Sequence, residues 1–226
     1  MIEHQENNDF LIPGSIEQAT SYKKAIEIIP ENECAEGVNF LIQTFQKFFP
    51  DSSKISLIPI LEGGRVIGEC LAEKSGIEPN MMQMKFYPKE KNEQKLDMPV
   101  CIVTPNIERI INTGTVVFAE AVIESQKTIL AAMQEINKHV DQHATDHNTH
   151  YQYPNYYTFA LVSKINGNPS VPNLVRAFSV DENIWVHGMG CDDEGEGREK
   201  PDIWGRLSPF AKKIPAPPYF TRFFSI

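Results

Sequence analysis

Between Pro30 and Pro50 the apolar residues Val38, Leu41, Ile42, Phe45, Phe48 and Phe49 recur at helical spacing, which predicts an amphipathic helix with one buried stripe. The period then changes. Ile55 to Leu61 is a short β-rich apolar run closed by Glu62-Gly63-Gly64, and Val66, Ile67, Cys70 and Leu71 resume the helical spacing, so a strand, a glycine turn and a helix follow in order. Met81 to Tyr87 predicts a further strand, while 89–97 (KEKNEQKLD) has almost nothing apolar and predicts a mobile loop. A third helix face is made by Ile129, Leu130, Met133, Ile136 and Val140, and strands return at Tyr156 to Lys164 and Leu174 to Val180. Alternation of strand and helix implies an α/β domain with a mainly parallel sheet covered on both sides, whose ligands sit at the carboxyl ends of the strands. The loops at 61–64 and 120–128 fall at such ends. The first nine residues predict a frayed, disordered start, and no internal repeat or linker divides the rest.

Composition narrows the class. A chain of 226 residues with 41% hydrophobic content can fill one large core. Its net charge of −9 disfavours general binding to nucleic acid or to an anionic membrane, so any phosphate must be held by local groups. Cys34, Cys70, Cys101 and Cys191 are scattered without paired metal-type spacing, which fits reduced thiols. The acidic, polar start is unlike a secretory signal, and no apolar run approaches the roughly 20 residues of a membrane helix. A cytoplasmic, soluble protein is the expectation. The aromatic 214–226 stretch (IPAPPYFTRFFSI) predicts packing on the body or on a second subunit of a homo-oligomer.

The candidate chemistry lies in 115–130 (TVVFAEAVIESQKTIL). Val116, Val117, Phe118 and Ala119 form an apolar run that ends in Glu120, and after Glu124 a Ser-Gln-Lys-Thr step opens a helix: strand, acidic loop, helix start. Ser125, Thr128 and the unpaired N–H groups of the new helix would cradle a phosphate, and the carboxylates upstream would hold a hydroxylated or cationic part of the same ligand. The segment reads as a sugar-phosphate site.

This string resembles the phosphoribosyl-pyrophosphate (PRPP) motif of type I phosphoribosyltransferases, an apolar strand followed by two acids, two apolar residues, a further acid and Thr/Ser-Gly-x-Thr. The likeness points to the hypoxanthine-guanine branch, because 61–64 (LEGG) resembles its pyrophosphate loop and 184–198 (IWVHGMGCDDEGEGR) resembles its base-binding strand and the loop that follows. The likeness spans roughly Pro30 to Arg206, with three motifs in the family's order. It implies the type I fold: a mainly parallel sheet flanked by helices, with a small hood from the N-terminal segment and the chain beyond about residue 165. A phosphoribosyltransferase-like domain over 10–206 and a packed tail over 207–226 complete the expected organisation.

Carried over residue by residue, the resemblance implies that Glu120 holds ribose hydroxyls and that Glu124 is the catalytic, proton-transferring acid near purine N7. Ser125, Gln126, Lys127 and Thr128 would wrap the 5′-phosphate. Leu61, Glu62 and Gly63 would meet pyrophosphate in a loop where the family often has a non-proline cis peptide, and Arg198 would grip the same group. Trp185 would stack on the purine, the backbone of Val186 would meet its edge, and Lys164, or Ser163 if the register slips by one, would read the 6-oxo group. Asp192 matches an acid at the base that helps to hold Mg²⁺, the implied cofactor. PRPP, a purine base or a nucleoside monophosphate are the implied ligands. Displacement of pyrophosphate builds positive charge on the ribose, which nearby carboxylates stabilise while a cation and an arginine stabilise the departing anion. The loop at 88–97, with Lys89, Lys91 and Lys95, would close over the site and exclude water.

Three positions depart from the pattern: Ala121 replaces the second acid, Gln126 the loop glycine, and Glu62 a residue that is often basic. Loss of one charged partner to the ribose predicts roughly 1 to 3 kcal/mol of weaker binding. A positive φ at Gln126 would add about 1 kcal/mol. The expectation is weaker PRPP binding than in a regular member, with a catalytically silent sensor of PRPP or a purine nucleotide as the rival reading. His139, His143 and His147 would share a face if the helix runs past Val140, a spacing that suits Zn²⁺ and also suits a solvated extension; with His150 they suggest a third reading, metal handling.

Overall fold

In the computed structural model the described residues are 25–85, 98–124, 126–164, 169–191, 197–207 and 220–224. Ile26–Ile29 forms β1, Glu31–Phe48 forms α1, Ser56–Leu61 forms β2 and Arg65–Ser75 forms α2. Met82–Lys85 (β3) and Val100–Val103 (β4) precede a short helix, Ile107–Thr113 (α3), and the long central strand Thr115–Ile123 (β5). Then come Lys127–Asp146 (α4), Asn155–Ser163 (β6), Leu174–Val180 (β7), Ile184–His187 (β8), Ile203–Leu207 (β9) and Phe220–Arg222 (β10).

Seven strands make the main sheet in the order β10-β7-β6-β5-β2-β3-β4. The five inner strands run parallel, and β4 and β10 are antiparallel edges. The apolar runs in β2 and β5 are continuous because both faces of a parallel sheet are covered. Alternation along β5 divides the core: Val117, Ala119 and Ala121 join the cluster containing α1 and α2, whereas Val116 and Phe118 join the cluster containing α3 and α4. Phe45 of α1 meets Phe159 of β6 edge-on at 5.5 Å. A second, three-stranded antiparallel sheet, β1-β9-β8, forms the hood, and Ile26, Ile28, Ile184, Val186 and Ile203 bury its inner face in the α1 side of the core.

The strand–helix alternation thus gives the parallel sheet that the hydrophobic pattern predicts, with three differences. First, β5 continues through Ile123 because Glu120 pairs with Ala160, Val122 with Val162 and Ile123 with Ser163. Glu120 therefore stands inside a strand rather than in an acidic loop, and only Glu124 follows it. Second, of the chain beyond residue 165, β7 and β10 extend the main sheet, and only β8 and β9 join β1 in the hood. Third, β1, β4, α3, β8, β9 and β10 are elements that periodicity did not predict; most are too short to display a period. In the C-terminal stretch, β10 pairs with β7, Arg222 pairs with Glu33 of α1, and Phe224 stacks on Phe40 at 5.3 Å. Residues 1–9 and the 88–97 loop lie outside the described residues. Among those described, no helix is long and apolar enough to cross a membrane.

Candidate active site

The carboxyl ends of β2, β5 and β6 lie side by side, and the chain leaving each supplies one wall of a cleft of about 260 Å³. After β2 the Leu61–Glu62 peptide is cis, and the Gly64 N–H donates to the Ile60 carbonyl at 2.7 Å, closing a tight turn into α2. Gly64 is needed there for close approach to backbone, and Gly63 lies against the end of the Glu120 side chain. A Cβ on Gly64 would stand 2.0 Å from the Ala119 carbonyl oxygen, and one on Gly63 would stand 2.6 Å from Glu120 Oε1. The turn is thus pressed directly onto β5. The Glu62 carboxylate turns to Arg65 at 3.0 Å, a half-exposed pair worth little by itself.

On β5, Glu120 is half-buried beside Gly63, and its Oε1 accepts from the Ala121 N–H at 3.2 Å. Burial pushes its carboxyl up to about 8, against the opposing pull of the Ala121 N–H and the Arg198 charge. Alternation sends Ala121 the other way, fully buried in the apolar core, while Val122 lines the cleft. Glu124 follows the strand and pairs with the ammonium of Lys164, whose side chain is almost wholly buried at the end of β6. The Lys164 N–H donates to the Ile123 carbonyl at 2.9 Å, which extends the β5–β6 ladder by one step and sets the register of the pair. Ser163 is instead fully buried, and its Oγ accepts from Arg176 at 3.3 Å.

Gln126 caps α4 with φ 61°, the left-handed conformation that the motif's glycine adopts freely. Its carbonyl accepts from the Leu130 N–H at 3.1 Å, closing the first turn, so the N–H groups of Thr128 and Ile129 have no acceptor within the helix. Its side-chain Oε1 accepts from the backbone N–H groups of Ser170 and Val171.

The hood closes the cleft from the opposite side. Trp185, 36% exposed, and Val186 project from β8. Gly190, with φ 99°, approaches so closely that a Cβ there would stand 2.6 Å from the Gly63 carbonyl oxygen. Arg198 Nη1 donates to the Gly190 carbonyl at 2.9 Å, tying the returning chain to the same turn.

Of the residues picked from sequence, Glu62, Gly63, Glu124, Lys164, Trp185, Val186 and Arg198 line this one cleft, with Glu120 against Gly63. Leu61, Gln126, Lys127 and Thr128 do not line it; the last three form the neighbouring helix start. Ser125 and Asp192 lie outside the described residues. Sequence reasoning missed Val122 and Cys191, which also line the cleft. Two-residue alternation from Glu120 would have found Val122 had β5 been extended through Ile123. The histidines remain apart from the cleft. His139 contacts Glu135 at 3.1 Å, His143 and His147 stack at 4.1 Å, and His147 Nδ1 faces the His143 carbonyl oxygen at 2.9 Å. Among the described residues no three His, Cys, Asp or Glu side chains come together as a metal site.

No protein-family profile and no curated protein matches the chain. Solved structures do. A hypoxanthine-guanine phosphoribosyltransferase from Bacillus anthracis is 16% identical, with 80% of this chain and 96% of that one covered and a TM-score of 0.53. A hypoxanthine phosphoribosyltransferase from Trypanosoma cruzi, in complex with its product IMP, is 15% identical over 84% of this chain and 97% of that one, with a TM-score of 0.55. One from Staphylococcus aureus is 14% identical over 85% and 94%, with a TM-score of 0.54. At these identities the likeness is one of fold: the chain has the α/β architecture of type I phosphoribosyltransferases.

Proposed function

We propose that this protein transfers phosphoribose from PRPP to a 6-oxopurine, giving a nucleoside monophosphate and pyrophosphate. The observation that carries the reading is the pairing of Glu124 with buried Lys164 at the ends of adjacent parallel strands, in the cleft that Trp185 lines from the hood. In this reading Trp185 stacks on the purine, the Val186 backbone meets its edge, and Lys164, oriented by Glu124, donates to the 6-oxo group. Glu124 then accepts the proton that the imidazole ring of the purine loses as its nitrogen bonds to C1 of the ribose. Glu120 meets the ribose hydroxyls, with the first-turn N–H groups, Ser125, Lys127 and Thr128 holding the 5′-phosphate. Arg198 and the backbone of Leu61, Glu62 and Gly63 receive the departing pyrophosphate.

The fold implies a divalent cation, and the acids at the cleft are hard oxygen donors of the kind Mg²⁺ takes. Asp192 would hold the ion, which would supply charge neutralisation at the pyrophosphate.

A second reading has one observation in its favour. Ala121 stands where the motif has its second acid and is sealed in the apolar core, so position 121 offers the ribose no carboxylate, as expected of a silent sensor of PRPP or nucleotide. An assay of PRPP-dependent conversion of hypoxanthine, guanine, xanthine and adenine separates the two. Turnover of a 6-oxopurine, reduced about 10²-fold or more in Glu124→Gln with substrate binding retained, is the expected result. Ligand binding without turnover on any base supports the sensor instead.

A further inference from the structure

The replacement of the motif glycine by Gln126 looks like damage in the sequence, yet its side chain is engaged where glycine would have none. Oε1 accepts two backbone N–H groups, from Ser170 and from Val171, the latter at 2.9 Å. Those donors stand 44 and 45 residues away, in the chain that enters β7. The anchor itself is held in place. Val171 is buried in the α4 side of the core, and Asn173 Nδ2 donates to the Tyr156 carbonyl at the start of β6 at 2.8 Å.

We propose that Gln126 is a positioning residue for the 5′-phosphate, a clamp that ties the helix-start loop to the β6–β7 connection and holds the first-turn N–H groups of α4 in place before ligand arrives. This rests on the nucleotide-site reading given above. A glycine at this position reaches φ 61° freely but leaves the loop to be ordered by the ligand, at the ligand's expense in affinity. Glutamine accepts a strained backbone and offsets it with two hydrogen bonds that also satisfy the donors at 170 and 171. The two effects oppose each other in overall stability, so the clamp shows itself in loop order and phosphate affinity rather than in the unfolding midpoint.

The test compares the unsubstituted protein with Gln126→Gly and Gln126→Glu. Calorimetric titrations use inosine 5′-monophosphate and inosine, and amide hydrogen exchange is followed at Ser170 and Val171 without ligand. Gln126→Gly is expected to bind the monophosphate about tenfold more weakly, with inosine binding within about twofold of the parent and faster exchange at both amides. Gln126→Glu keeps the acceptor and so keeps the amide protection, while its negative charge near the phosphate lowers monophosphate affinity alone. Equal or tighter monophosphate binding by Gln126→Gly, or unchanged exchange at Ser170 and Val171, overturns the clamp and leaves the nucleotide site standing. No monophosphate binding by the unsubstituted protein overturns the nucleotide site and the clamp's role in it together.

Discussion

Glu120 is the residue whose chemistry depends most on where the fold puts it. In an unfolded chain its carboxyl titrates near the ordinary 4.5, and in the folded protein burial raises it to about 8. Between those values the folded state keeps a proton that the unfolded state has released, so folding stability falls as pH rises from about 4.5 to about 8. Glu120→Gln removes the ionisable group. Denaturant midpoints at pH 5 and pH 8 should therefore drop less in the variant than in the parent; an equal drop in both would show that Glu120 ionises normally. Ala121, one position on, has the opposite fate. The acid expected there by family pattern would face the core cluster, so its absence reads as a packing choice as much as a lost ribose contact.

At the scale of the element, the turn between β2 and α2 is the most constrained piece of the site. Gly64 stands where a side chain would collide with backbone of both β5 and β2, the Ala119 carbonyl oxygen at 2.0 Å and the Ile60 nitrogen at 2.9 Å. Gly64→Ala should destabilise the protein by about 1 to 3 kcal/mol or more, measured by urea unfolding, and should weaken nucleotide binding because the Gly63 backbone shifts with it. The glycine pair was legible in the sequence as a turn before a helix, and the α1, α2 and α4 stripes were legible because a long amphipathic helix repeats its period several times. The end of β5 was not. Glu120 interrupts the apolar run, and only the ladder to β6 shows that the strand passes through it. The short hood strands β1 and β9 escaped for a related reason: four or five residues carry too little alternation to identify a strand, and they pair with each other from opposite ends of the chain.

In the whole molecule, two sheets share one core. Residues of β1, β8 and β9 are buried in the same cluster as α1, α2 and the main sheet, so hood and body should unfold together. The two tryptophans, Trp185 and Trp204, both lie in the hood, whereas, among the described residues, the helices and seven of the ten strands lie in the body. Tryptophan fluorescence and far-ultraviolet circular dichroism should give coincident denaturation curves. Phe45→Ala, which empties a fully buried site between α1 and β6, should move both by about 3 to 5 kcal/mol. Separated curves would mean that the hood folds independently.

By itself the sequence determined the order of the longer strands and helices, the buried stripes and the residue types able to meet a sugar phosphate, because these are properties of spacing along one chain. Its resemblance to a family placed Glu124, Trp185 and Arg198 among the candidates through the order of three motifs, and Lys164, or Ser163, by position. Only the tertiary structure decided that these four face one cleft, that Glu120 points to Gly63 while Ala121 points to the core, and that Gln126 reaches Ser170 and Val171. The reason is physical. Strand register and hood docking bring together groups that spacing cannot relate, and burial, which sets the charge of Glu120, exists only once the layers have closed around it.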